Sequence, residues 1–184
     1  MRKLAIPGVL KVAPKLRPDE RGSFAKLFHR GTFQVLGLPT DFAEVFVTES
    51  RAQVVRGLHF QRPPKALDKL VVCLRGQVLD VLLDLRVGSP TYGRHVTVAL
   101  SGESMDVLCV PAGVAHGFAA LSEHAVMMYM TTEAYDPLLD DGIRWDSADV
   151  EWPCASPLVS ERDMSFPPLS ALDSPFVFEP DRHA

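Results

Sequence analysis

Arg56, His59, Gln61 and Lys69 fall within one stretch of the chain, VVRGLHFQRPPKALDKLVVCL, residues 54–74. An imidazole, two cations and an amide stand there on otherwise β-branched or aliphatic runs, joined by the proline turn at Pro63-Pro64. Such runs read as buried strands, and polar groups of this kind on them indicate a lined pocket more than a dry core. The chemistry they could perform is carbanion formation: an imidazole takes a proton and fixed positive charge holds the resulting oxyanion. Strict alternation puts His59 on one face with Gly57 and Gln61, and Arg56 on the other. For Arg56 and His59 to share a pocket the strand must carry a bulge, and Gly57 is the natural place for it.

Three further groups extend the set. Tyr129, in VMMYMT (126–131), shares a strand face with Met127 and Thr131; its phenol could return a proton to a carbanion. Asp163, in VSERD (159–163), gains a role if the C-terminal segment folds back, because a carboxylate commonly orients a working imidazole. His116 ends a P-x-G-x-x-H pattern, Pro111 to His116, which resembles the second half of the cupin signature, where that histidine can bind metal. His59 is followed by Phe60 and Gln61, so the usual H-x-H pair is missing and no matching glutamate is present. With one histidine from each half, a first-row metal is short of ligands, and no metal or other cofactor is expected.

Turn signals set out the elements that must position these groups. Strands are expected at 44–50, 54–61, 69–74, 76–86, 95–100, 105–110, 115–121 and 125–132, broken by Gly, Pro and Ser clusters. Recurrence at this spacing indicates an all-β sandwich or barrel, here a jelly roll with its core at about 42–132. In GQVLDVLLDLR, Val78, Asp80, Leu82 and Asp84 share one face. Before the barrel, Ile6 to Val12 reads as a short broken strand and 17–22 as a charged turn. Residues 23–28 are undecided between strand and helix, and a helix is expected from Arg30 to Leu38. After it, 135–152 is acidic and turn-rich. The proline-rich 153–184 segment is expected to wrap the barrel without regular strands or long helices.

At 184 residues, with 47% hydrophobic and 23% charged residues, the chain suits one soluble domain that buries a real core. A net charge of −4 argues against nucleic-acid or membrane-surface binding. The cysteines Cys73, Cys109 and Cys154 form neither a disulfide framework nor a zinc pattern. No leader or membrane-spanning stretch is visible, so a cytoplasmic protein is expected.

Taken together, DERG (19–22), RGLHFQ (56–61), Lys69-Leu70-Val71, GQVLDVLLDLR (76–86), SPTYG (89–93), VPAGVAHGF (110–118) and SERD (160–163) resemble the dTDP-4-dehydrorhamnose 3,5-epimerase family. The resemblance runs from about Ile6 to Pro168. It implies a metal-free cupin jelly roll, usually a homodimer, acting on a nucleotide sugar. Position by position it implies His59 as base, Asp163 as its partner, Tyr129 as proton donor and Lys69 beside the enolate oxygen. Arg56 and His116 would contact the sugar, Arg21 and Arg162 the diphosphate, and Tyr135 the region of the nucleotide base; Gln61 joins the substrate contacts. The chain departs from the family pattern at Thr48-Glu49-Ser50, at Lys26 and at Ala134-Tyr135. Inversion of one centre, a 3,4-ketoisomerase and a non-catalytic sugar-binding cupin are the alternative readings.

Overall fold

The computed structural model describes residues 1–180. Its strands follow the alternating and apolar runs: β1 (Arg2–Lys3), β2 (Leu10–Val12), β3 (Arg17–Asp19), β4 (Gly22–Phe24), β5 (Glu44–Arg51), β6 (Val55–Gln61), β7 (Lys69–Arg75), β8 (Gln77–Asp84), β9 (His95–Ser101), β10 (Val107–Val110), β11 (Val114–Ala120), β12 (His124–Thr131) and β13 (Asp140–Gly142). Two short helices accompany them, α1 (Arg30–Val35) and α2 (Glu161–Ser165), with a single 3-10 turn at Leu169–Ala171.

The strands form a six-stranded sheet in the order β1, β2, β10, β7, β12, β5 and a five-stranded sheet in the order β13, β6, β11, β8, β9. All of these neighbours pair antiparallel. The two sheets face each other as the halves of a jelly roll. Val71, Cys73, Leu108 and Met127 of the first meet Val78, Leu82, Leu100 and Phe118 of the second. Each sheet is covered on its outer face as well. Phe33 of α1 packs on Leu70, Val72, Val107 and Cys109, and Phe28 stands edge-on to both Phe33 and Phe42 beside it. The C-terminal segment lays Ile143, Ala148 and Phe176 over Leu58, Phe60, Val81 and Leu83. Burial on both faces is why LVVCL reads as an unbroken apolar run where a half-exposed strand would alternate.

The expected bulge is present. His116 of β11 pairs with His59 of β6, yet Phe118 pairs with Arg56, so Gly57 and Leu58 together oppose Gly117 alone. Gly57 has φ +118°, and a Cβ there would lie 2.6 Å from the Gly117 Cα and 2.8 Å from the His116 carbonyl oxygen. Both obstacles are backbone and cannot swing aside. Gly57→Ala is therefore expected to destabilise the protein by on the order of 3 kcal/mol or more, read by urea or thermal unfolding, and to misplace His59. An unfolding midpoint like that of the parent would contradict this account.

Several elements differ from the sequence reading. The sheets reach beyond 42–132, because β1 and β2 extend the six-stranded sheet through β10 and β13 edges the other. Residues 17–22, expected as a turn, are a hairpin of β3 and β4 with Glu20 and Arg21 at its tip, and of 23–28 only Ser23 and Phe24 are strand. The helix expected to Leu38 stops at Val35. His29 caps its start, accepting from the Thr32 N–H, and Gly37 at φ +67° turns the chain away from helix. Of the 153–184 segment, residues 181–184 lie outside the described range; the rest wraps the five-stranded sheet.

Candidate active site

The bulge at Gly57 sets Arg56 and His59 on the same inward side of β6, where both line a cavity of about 270 Å³ between the sheets. His59 and His116 are partners across the β6–β11 register. Each imidazole is held by its own carboxylate: His59 Nε2 lies 2.9 Å from Asp163 Oδ1, and His116 Nε2 lies 2.9 Å from Asp80 Oδ2. The two histidines thus belong to two separate pairs, and no group of three or more His, Cys, Asp or Glu converges among the described residues.

Asp163 lies behind His59 and not on the cavity wall. Helix α2 delivers it, with the Ser160 hydroxyl accepting from the Asp163 N–H at 3.1 Å. Burial pushes its carboxyl up, but hydrogen bonds from His59 and from the Gly57 N–H, at 2.9 Å each, outweigh this and hold it below the ordinary carboxylate range. An ionised Asp163 accepts from Nε2–H, which leaves Nδ1 of His59 as the basic nitrogen. Phe166 stands edge-on to the imidazole at 5.7 Å. Gly142, opposite His59 in the β13–β6 register, makes room for that ring, since a Cβ there would come within 2.4 Å of it.

Across the cavity, the six-stranded sheet supplies Tyr129 and Lys69. Tyr129 is 7% exposed, stacks on Phe46 of β5 at 4.8 Å and meets the His116 ring edge-on at 6.0 Å. Burial pushes its phenol up, so it carries its proton at neutral pH. Lys69 opens β7 beside Thr131. Burial draws its ammonium down to about 8, against the opposing pull of Asp140 and Asp80. Burial likewise pushes the Asp80 carboxyl up, with His116 and Lys69 pulling the other way.

Arg56, Gln61, His116, Tyr135 and Arg162 also line the cavity, whereas Arg21 does not. Gln61 is 5% exposed and its amide is committed: Nε2 donates to the carbonyls of Lys65 and Ala134, and Oε1 accepts from the Asp136 N–H. It therefore pins the 134–136 loop that carries Tyr135. Arg21 lies outside the cavity, on the exposed β3–β4 turn, where it pairs with Asp19. Arg56 is anchored on β5, through the Ser50 hydroxyl at 2.9 Å and the Glu49 carbonyl at 3.1 Å.

Sequence reading missed Asp80 and Asp140. Asp80 had a signal, an acid alternating with Val78 and Leu82 on an apolar strand face. Asp140 had none, standing among Asp136, Asp141 and Asp146. A larger groove of about 680 Å³ runs past Leu10, Leu36, Leu70 and Cys109 and shares Lys69 with this cavity; Lys3, Asp41 and Asp68 line it too, but no histidine or tyrosine among the described residues does.

Residues 3–171 match the family model described as dTDP-4-dehydrorhamnose 3,5-epimerase. The chain belongs to this family. It is 41% identical over 166 residues to the dTDP-4-dehydrorhamnose 3,5-epimerase of Shigella flexneri, covering 89% of this chain and 92% of that one. It is 38% identical over 166 residues to the dTDP-4-dehydrorhamnose 3-epimerase of Streptomyces niveus, covering 89% and 80%. Among solved structures, RmlC from Legionella pneumophila, a dTDP-6-deoxy-D-glucose-3,5-epimerase in complex with dTDP-4-keto-L-rhamnose, superposes with a TM-score of 0.90 at 33% identity over 96% of each chain. The jelly roll is thus of the cupin type found in this epimerase family, and the chain is an enzyme of that family. No helix among the described residues is long and apolar enough to cross a membrane.

Proposed function

We propose that the protein inverts C3, C5 or both in a dTDP-linked 4-keto-6-deoxyhexose. The observation that carries this reading is the placement of His59 on one sheet and Tyr129 on the other, facing one cavity, with Lys69 lining it too. A 4-keto group acidifies the hydrogens at C3 and C5. Nδ1 of His59 takes one of them, and the electron pair moves into an enolate whose oxygen lies against the Lys69 ammonium. The phenol of Tyr129 then protonates the carbon from the opposite face and the carbonyl re-forms. Solvent returns a proton to the phenolate and removes one from the imidazolium, so that no redox partner is consumed. Arg56 and His116 hold the sugar, while Arg162 and Tyr135 meet the diphosphate and the base at the cavity mouth.

Arg21 can serve the diphosphate only if another copy of the chain brings it there, and we place the enzyme in a homodimer on that ground. The exposed Phe24 on the β3–β4 hairpin and the exposed Val45, Phe46 and Val47 on edge strand β5 are the surfaces that such a dimer would cover. A monomer in sedimentation equilibrium would exclude it.

The reading is tested by incubating the protein in deuterium oxide with a small panel of 4-keto-6-deoxy sugar nucleotides and following C3 and C5 by NMR. Exchange of one or both hydrogens with inversion is expected. A change of carbonyl position would make the protein a ketoisomerase, and binding without exchange would make it a non-catalytic cupin.

A further inference from the structure

At the cavity mouth the side chains of Arg162 and Asp140 form an ion pair. The carboxylate is the more sunken of the two, its side chain 15% exposed against 48% for the arginine. Asp140 is fixed from the backbone, paired to Gln61 through β13 and donating its N–H to the Asp136 carbonyl at 2.9 Å. Arg162 sits on the short helix α2, its guanidinium 5.1 Å above the Phe166 ring and half-open to solvent. Both side chains line the cavity together with Lys69.

Among the described residues the Lys69 ammonium has no ion pair and no hydrogen bond of its own. The charged and titratable groups that share its cavity are His59 and Arg56 from β6, His116 from β11, Tyr129 from β12, Glu44 from β5, and Tyr135, Asp140 and Arg162, while on its other flank Lys69 lines the larger groove with Lys3, Asp41, Asp68 and Cys109. Asp80 from β8 acts on it as well, through a carboxylate whose Oδ2 is held by His116 and whose Oδ1 is buried without a hydrogen bond; among the described residues no exposed partner screens it. Asp140 is the one whose partner is exposed and can be drawn off. An incoming diphosphate competes for that guanidinium, because planar two-point pairing with phosphate is what guanidinium does best. Once the guanidinium leaves, the charge of Asp140 is free to act on the lysine inside.

We infer that Asp140 is a positioning residue for Lys69, masked by Arg162 in the free protein and unmasked when the substrate's phosphates draw Arg162 away. Binding at the nucleotide end would thereby switch on the cation that the sugar end needs. The electrostatics run the same way: burial lowers the lysine, and Asp140 is the strongest group opposing that fall. The sign follows directly. Removing the Asp140 charge makes Lys69 lose its proton at lower pH, and removing the Arg162 charge makes it hold the proton to higher pH.

The inference rests on the proposed reaction for its benefit to the enzyme, and its first test is independent of turnover. In lysine-labelled protein, the Cε resonance that disappears in Lys69→Arg is titrated by NMR. A midpoint near 8 is expected for the parent. Asp140→Asn is expected to lower it by about half a unit or more, Asp140→Glu to restore it and Arg162→Met to raise it. The alkaline limb of kcat/KM should move in the same order, so that Asp140→Asn loses about three-fold or more at high pH and little at pH 6.5. A Lys69 midpoint unmoved in both Asp140→Asn and Arg162→Met overturns the inference even if the enzyme epimerises. Midpoints that shift as stated in a protein that turns over no 4-keto sugar uphold the coupling and remove the epimerase reading instead.

Discussion

His59→Asn is expected to reduce epimerisation and solvent exchange together by about a thousand-fold or more, the scale on which a positioned general base contributes. Asparagine is short and polar, and its amide can still donate towards Asp163, so the buried carboxylate keeps a partner and the fold should stand. Asp163 also keeps its hydrogen bond from the Gly57 N–H, which does not involve the imidazole. What disappears is the basic Nδ1 lone pair facing the cavity. The measurement is the rate of deuterium entry at C3 and C5, with circular dichroism confirming that the variant is folded. Exchange at the parent rate in this variant would remove His59 from the chemistry.

Tyr129→Phe separates the two halves of the reaction. His59 can still take a proton, and in deuterium oxide it returns a deuteron to the face it came from. Exchange with retention should therefore persist, while inversion falls by about a hundred- to ten-thousand-fold. The ring contacts with Phe46 at 4.8 Å and His116 at 6.0 Å do not need the hydroxyl, so little stability should be lost. NMR distinguishes deuterated starting configuration from epimer in one experiment. Inversion that continues at the parent rate would assign the second proton to another group.

Much of this arrangement can be read from the residues in order. The bulge follows from requiring Arg56 and His59 on one side of a strand with a glycine between them, and the register confirms it. The jelly roll follows from strand spacing, because buried strands advertise themselves by composition. What could not be read depends on pairing at a distance. Strand β13 contains only Asp140, Asp141 and Gly142 and has no apolar pattern; β6 imposes its conformation. Asp80 is joined to His116 across 36 residues, and nothing local marks which strand faces which. Gln61 stands on the cavity wall as expected, but the three backbone hydrogen bonds by which it ties the neighbouring loops down depend on residues far along the chain and had no local signal. Arg21 carries a recognisable motif position, but a motif does not state where the folded chain puts it, here on the exposed β3–β4 turn outside the cavity.

The carboxylate behind His59 comes from residue 163, 104 positions further along, and the same group accepts from the backbone of the Gly57 bulge. During synthesis from the N-terminus, both sheets apart from β13 are complete by Thr131, well before that acid leaves the ribosome. A nascent or clipped chain ending near Thr131 therefore lacks Tyr135, Asp140 and Arg162 from the cavity wall and the cover of Ile143, Ala148 and Phe176, and its imidazole hangs unoriented while the bulge lacks its anchor. Catalytic competence thus arrives last, with the closing stretch of polypeptide, and an incompletely made copy would be silent rather than wrong.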